Sequence, residues 1–340
     1  MNKRYPIFLS SILLFISFIN LSIGSQEIGF KEILEILQNK NTNPTWGVIF
    51  WEYRIPKLIA AILAGAGLAC SGLLMQTLFR NPLAGPYVLG ISSGASFGVA
   101  LFVLAGSSLA AFAMYPLLYA LGVGFAALIG SFFILFAMYW SSKKLHSGFS
   151  VLILGLILGQ ILGALQSGLS FIASPGALKE FVLWGMGSFS QVSVPSLFFM
   201  VVVVLFSLWR VYTLHHKLDI YLLGDLYAKS MGLDLRKFRT ATILATGLLS
   251  GVITAFCGPI AFIGLAVPHV SRFLIKTHEH KQLFWVVLLL GAIIAVLSDT
   301  ISHAGLGNQV IPINILTSIL GGPVVLWVIL SKNTKRYGEI

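Results

Sequence analysis

Apolar runs of about 20 residues follow one another along almost the whole chain, and that is the length an α-helix needs to cross the hydrocarbon core of a bilayer. In lipid, every backbone N–H and C=O must find its partner inside the protein, so such runs are restricted to helices. The 340 residues are 57% hydrophobic and only 10% charged, with a mean hydropathy of +0.92. An ordinary globular domain carries about 25% charged residues. The expectation is an all-α polytopic membrane protein, one transmembrane domain over residues 1–340, with no soluble domain left over.

The runs predict ten spans, over residues 6–24, 57–79, 87–106, 115–140, 149–171, 193–213, 240–257, 259–275, 283–298 and 312–331. The seventh and eighth are separated by Gly258-Pro259, a pair that breaks a helix. Charge tests the count. With the N-terminus inside, 17 of the 22 Lys and Arg residues fall in internal segments, as the positive-inside rule requires. Both termini are then cytoplasmic. The start, Lys3-Arg4 and the apolar stretch to Gly24, has the outline of a signal peptide, but it is long enough to span and is read as a first helix. The formal net charge of +11 is explained by this topology rather than by nucleic-acid binding.

Three connections exceed a turn. Residues 25–52 are external, with an amphipathic helix expected within Lys31 to Asn39. Residues 174–192 are also external, and KEFVLWGMGSF, Lys179 to Phe189, reads as a short surface helix. Residues 214–239 are internal and the most charged part of the chain. Within them, Leu226 to Met231 is an expected amphipathic helix stopped by Gly232, an element suited to a membrane surface or to a groove on a partner.

Several chemistries are unsupported. There is no phosphate-binding loop of the G-x-x-x-x-G-K-[ST] type, no nucleophile elbow and no metal-ligand spacing of His, Cys, Asp and Glu. Cys70 and Cys257 lie in apolar runs and read as packing residues. No cofactor or metal is expected, and the chain is not expected to be an enzyme. Asp299, followed by His303, stands near the outer end of span nine. A secondary transporter usually places carboxylates at mid-membrane depth to bind its coupling ion. The sequence shows none so placed, so ion coupling is the weaker reading. Arg80-Asn81-Pro82 reads as an internal turn, and Gly90, Gly94 and Gly98 make one face of span three flat. That face is either for close helix packing or for lining a path. Gly155, Gly159 and Gly163 with Gln160 and Gln166 repeat the device in span five.

Four stretches in order resemble the FecCD family of ABC-transporter permeases. They are RIPKLIAAILAGAGLACSGLLMQTLFRNPLAGPYVLGISSGA (54–95), LGDLYAKSMGL (223–233), GPIAFIGLAVPHVSRFL (258–274) and IPINILTSILGGP (311–323). The resemblance covers essentially the whole chain. It implies the fold of a type II ABC importer permease with ten helices per subunit, and a homodimer with the path on its two-fold axis. It also implies two separate ATP-binding subunits below, and a periplasmic or lipid-anchored substrate-binding protein above. The implied cargo is a metal chelate: an iron–siderophore complex, or alternatively cobalamin or haem.

Residue roles follow from the same resemblance. Arg54, Lys57 and His303 match the positions that dock the binding protein, with His303 where arginine is usual. Leu223, Gly224, Asp225, Ala228, Met231, Gly232 and Leu233 match the helix that couples to the ATPase. Gln76, Asn81, Pro82, Gly90, Gly94 and Gln160 are path candidates, and Ser147-Gly148-Phe149 matches the cytoplasmic gate. Gly264, Pro268, His269, Arg272, Pro312 and Pro323 belong to the motifs themselves. The chain departs from the family's Glu-Leu-Pro-x-Gly at Val310-Ile311-Pro312-Ile313-Asn314.

Overall fold

A computed structural model describes residues 4–24, 28–38, 43–104, 116–144, 148–304 and 310–330. Among them the regular structure is entirely helical. In chain order the helices are α1 (Arg4–Ser22), α2 (Phe30–Leu37), α3 (Pro44–Val48), α4 (Ile55–Leu78), α5 (Ile91–Leu104), α6 (Pro116–Lys144), α7 (Gly148–Ile172), α8 (Pro175–Gly185), α9 (Val194–Thr213), α10 (His215–Leu222), α11 (Asp225–Ser230), α12 (Leu235–Cys257), α13 (Ile263–Ile275), α14 (His280–Ala304) and α15 (Ile313–Leu330). A π-helical turn, Ile49–Arg54, joins α3 to α4, and a 3₁₀ turn, Pro86–Leu89, precedes α5.

Among the described residues, eight helical stretches are long and apolar enough to span a bilayer, and two shorter apolar helices, Ile91–Leu104 and Ile263–Ile275, accompany them. These ten coincide with the ten expected runs. The two short ones differ from the expectation. Their 14 and 13 residues rise only ~20 Å, less than the ~30 Å core. Each is entered through irregular backbone, which survives at membrane depth only inside protein. The α12–α13 break is at Gly258, with φ of +73°, and it closes at Phe262, whose φ of +66° is also left-handed.

The expected second span begins too late. Helical structure runs unbroken from Pro44 to Leu78, 35 residues. It starts where the Asn43 side chain accepts from the Thr45 N–H (3.1 Å) and Pro44 takes the first position, a favoured helix start. The expected external helices are present as α2 and α8, the latter about four residues early.

α4 is the axis of the molecule, packed against α9, α12, α13 and α14 and buried at nearly every position from Ala60 to Leu78. Lipid is as apolar as leucine, so helices in it associate through close packing rather than through the hydrophobic effect. The sequence meets this with glycine: a methyl group on Gly72 would overlap the backbone carbonyl of Gly264 in α13.

Candidate functional site

Polar side chains collect at the two ends of this bundle. At one end lies the predicted coupling segment, folded as α10 and α11. Gly224 (φ +107°) and Gly232 (φ +81°) bracket α11. A Cβ at either would meet open space, so the glycines are needed for backbone conformation and not for room. Ala228 is buried, whereas Leu223, Leu226, Tyr227 and Met231 are exposed, Leu226 by 85%. Leu233 N–H returns to the Ala228 carbonyl (2.9 Å) and closes the helix.

Asp225 fixes this element to the bundle. One carboxylate oxygen accepts from Arg80 (2.7 Å) and the other from Arg239 (2.8 Å). Arg80 also donates to the Tyr221 carbonyl (2.8 Å) and lies 4.5 Å above the Tyr221 ring. The Tyr221 hydroxyl donates to the Leu78 carbonyl at the end of α4 (3.2 Å). A second link joins α10 to α14 and α4: Asp219 bonds His280 Nδ1 (2.6 Å), and His280 Nε2 bonds Thr77 (2.8 Å). Burial opposes the Asp219 charge, but the side-chain and backbone N–H groups of His280 outweigh it and hold the carboxyl below its ordinary range. Asp234 is likewise lowered, chiefly by the Lys237 backbone N–H that it caps at 3.0 Å.

The predicted path residues separate into two groups. Gln76 is buried between the Leu265 carbonyl (3.1 Å) and Arg272 (2.6 Å), a strut between α4 and α13. Gly94 faces Gly130 of α6, and Gly90, with φ of +73°, ends the 3₁₀ turn against the Gly155 carbonyl of α7. Both are positions of close helix packing. Asn81 is an exposed turn residue accepting from Leu83 N–H (2.9 Å), and the Pro82 carbonyl accepts from His269 (2.6 Å). Gln160 is exposed on α7, and Gly163 on the same helix faces open space. Gly148 opens α7; Ser147 and the Phe149 side chain lie outside the described residues. Gly264 and Pro268 are buried in α13, Pro312 precedes α15, and Pro323 is exposed within it.

At the opposite end, the predicted docking cations are turned inward. The Arg54 guanidinium donates to the Leu21 carbonyl at the end of α1. Lys57 Nζ lies 3.0 Å from Asp299 Oδ2, the same oxygen that accepts from Asn20 (2.7 Å). Asn20 also donates to Thr300 (3.0 Å). Arg54 and Lys57 are both buried, so neither offers a bare charge on the surface as the resemblance implied. The Asp299 carboxylate draws in Lys57 and the Leu21 carbonyl draws in Arg54, since a buried charge needs a partner. His303 is half-buried, with Nδ1 on the Asp299 carbonyl (2.9 Å) and 3.6 Å from Asp299 Oδ1. Its position is on the wall of a cleft of about 220 Å³ lined also by Met186, Ser188, Gln191 and Pro312.

Sequence reasoning missed two anchors. Asn20 escaped notice as one amide in the first span, although an amide in an apolar run is itself a signal for a buried partner. Asn314, read only as a departure from the family pattern, donates to the carbonyls of Gly185 (3.2 Å) and Pro259 (2.7 Å) and accepts from Ala261 N–H (2.9 Å). It ties the start of α15 to the α12–α13 break and to the end of α8.

Comparison with known proteins agrees with this fold. Residues 12–331 match the FecCD transport family. The hemin transport system permease protein HmuU of Yersinia pestis is 33% identical over 340 residues, covering 99% of this chain and 100% of that protein. The vitamin B12 import system permease protein BtuC of Salmonella typhi is 32% identical over 330 residues, covering 97% of this chain and 95% of its own. Among solved structures, an inward-facing metal-chelate type ABC transporter superposes with a TM-score of 0.83 at 28% identity, over 96% of this chain and 98% of that one. PsaBC from Streptococcus pneumoniae shares the fold at TM-score 0.57 and 18% identity, over 90% and 98%. The chain belongs to the FecCD transport family of ABC importer permeases.

Proposed function

We infer that this permease conducts a metal chelate inward, as a homodimer driven by two copies of a separate ATP-binding subunit. The observation that carries the reading is α11. Its exposed Leu226 and Tyr227, with the flanking Leu223 and Met231, also exposed, form an apolar knob suited to a partner's groove. The Asp225 pairs and the Asp219–His280–Thr77 chain join that knob to the central α4. Closure of the ATPase pair would push on α11 and be felt at the axis of the bundle. In this reading the α11 end and both termini are cytoplasmic, in the inner membrane. A periplasmic or lipid-anchored binding protein docks on the Asp299 end over the cleft beside His303, and Gln160 and the gate around Gly148 and Phe149 border the path.

The relatives name two candidate cargoes. Hemin and vitamin B12, named for two relatives, are both metal macrocycles, so a haem- or corrin-type cargo stands beside the iron–siderophore that the sequence suggested first. The test is uptake of labelled hemin, cobalamin and ferric siderophore by vesicles holding the permease, its ATPase and its binding protein. Uptake of one of the three that requires ATP is the expected result. Accumulation of cargo by the permease alone, under an ion gradient, would refute the importer reading.

A further inference from the structure

The outward side of α6 carries an unbroken apolar stripe, Phe125, Ile129, Phe133, Phe136 and Trp140, all exposed. The spacing of three and four residues keeps them on one face of the helix. At its end the stripe meets charge. Lys144 Nζ sits 3.8 Å from the centre of the Trp140 ring, and Lys143 Nζ sits 4.0 Å from that of Tyr139. These contacts hold two flexible ammonium groups at the level where the apolar surface stops.

A third cation is brought near by packing. The Ser142 and Thr240 hydroxyls are 3.3 Å apart, which joins the end of α6 to the first turns of α12, and Arg236 lies one turn before Thr240. The acids of this end are already engaged: Asp225 by Arg80 and Arg239, Asp234 by Lys237. Among the described residues no carboxylate lies within ion-pair distance of Lys143, Lys144 or Arg236. Each lysine keeps N–H donors beyond the one turned to its ring.

The geometry points to a binding site for the phosphate headgroup of an anionic phospholipid, whose acyl chain lies along the α6 stripe while its phosphate rests on Lys143, Lys144 and Arg236. A soluble anion would use the cations but has no need of the stripe. A neutral lipid would use the stripe but gain nothing from three uncompensated cations. Only an anionic lipid answers both.

Fluorescence tests the site. The full-length permease with its ATPase is placed in phosphatidylcholine vesicles, with brominated chains carried either on phosphatidylglycerol or on phosphatidylcholine. The Trp140 signal is the difference between the wild type and Trp140→Phe. Stronger quenching by the brominated phosphatidylglycerol is expected, with the preference falling roughly fivefold for each lysine removed in Lys143→Gln and Lys144→Gln. The Lys143→Arg/Lys144→Arg variant should keep it, which separates lost charge from a damaged fold. Equal quenching by the two lipids, or a preference that survives Lys143→Gln/Lys144→Gln, would overturn the site. Quenching by neither lipid would show the stripe to be covered by protein. Loss of the preference under excess inorganic phosphate would assign the cations to a soluble anion. Loss of ATPase co-purification in the double glutamine variant, with the lipid preference intact, would assign them to the ATPase. Each of these last three outcomes also rejects the proposal.

Discussion

The two ends of the bundle use one arrangement in two dielectrics. At the α11 end, Asp225 stands between Arg80 and Arg239 with its side chain 38% exposed. At the other end, Asp299 stands between Lys57 and Asn20, with His303 beside it, and its side chain is 1% exposed. Pairs in contact with water contribute little each, about 0–1 kcal/mol, because solvent and salt screen them. A buried pair is different: removal of one member strands the other charge away from water. The first arrangement is therefore suited to a joint that must yield and re-form. The second is suited to a fixed cross-link among α1, α4 and α14.

Lys57→Met gives the sharpest test of that contrast. It should cost about 3–5 kcal/mol by stranding Asp299, read as a large drop in unfolding temperature in detergent. Lys57→Met/Asp299→Leu should recover most of the loss, since an apolar pair of similar volume has no charge to strand. A single variant as stable as the wild type would mean that Asp299 is neutral or solvated, and the contrast between the ends would collapse.

Leu226→Arg comes next. The side chain is 85% exposed, so permease stability should be unchanged while co-purification of the ATPase falls by tenfold or more, roughly what one buried apolar anchor contributes to an interface. Retained co-purification would remove α11 as the contact. Gly232→Ala should lower stability by about 1 kcal/mol, because alanine resists a left-handed φ; an unaltered melting temperature would argue that this turn adopts another conformation. Asp225→Asn is expected to be smallest, at most about 1 kcal/mol in stability and diminished further by salt. Its clearer effect should be on ATPase activity stimulated by cargo-loaded binding protein, which falls if the joint transmits force.

The membrane made the ten runs legible, because lipid tolerates little besides apolar helix. The Gly258-Pro259 break was equally plain, and so was the knob at Leu226, since charge and grease alternate there. Other features were hidden for physical reasons. The helix from Pro44 to Arg54 carries Trp46, Trp51, Glu52 and Tyr53, which blur any apolar periodicity. The shortness of α5 and α13 depends on where neighbouring backbone can shelter an irregular entry, which no local window contains. Lys57 was read as an outward contact because its partner is far along the chain. Asn20, also on Asp299, is 279 residues from it. Distant pairing of this kind leaves no periodic trace.

Asn314 shows what a single amide can do to the freedom of a whole end. Its three hydrogen bonds reach the last turn of α8, the bend at Pro259 and the backbone at Ala261. Those pieces are therefore tied to the start of α15, like stones under a common keystone. If the corridor is to widen and narrow, the give has to come from elsewhere in the molecule.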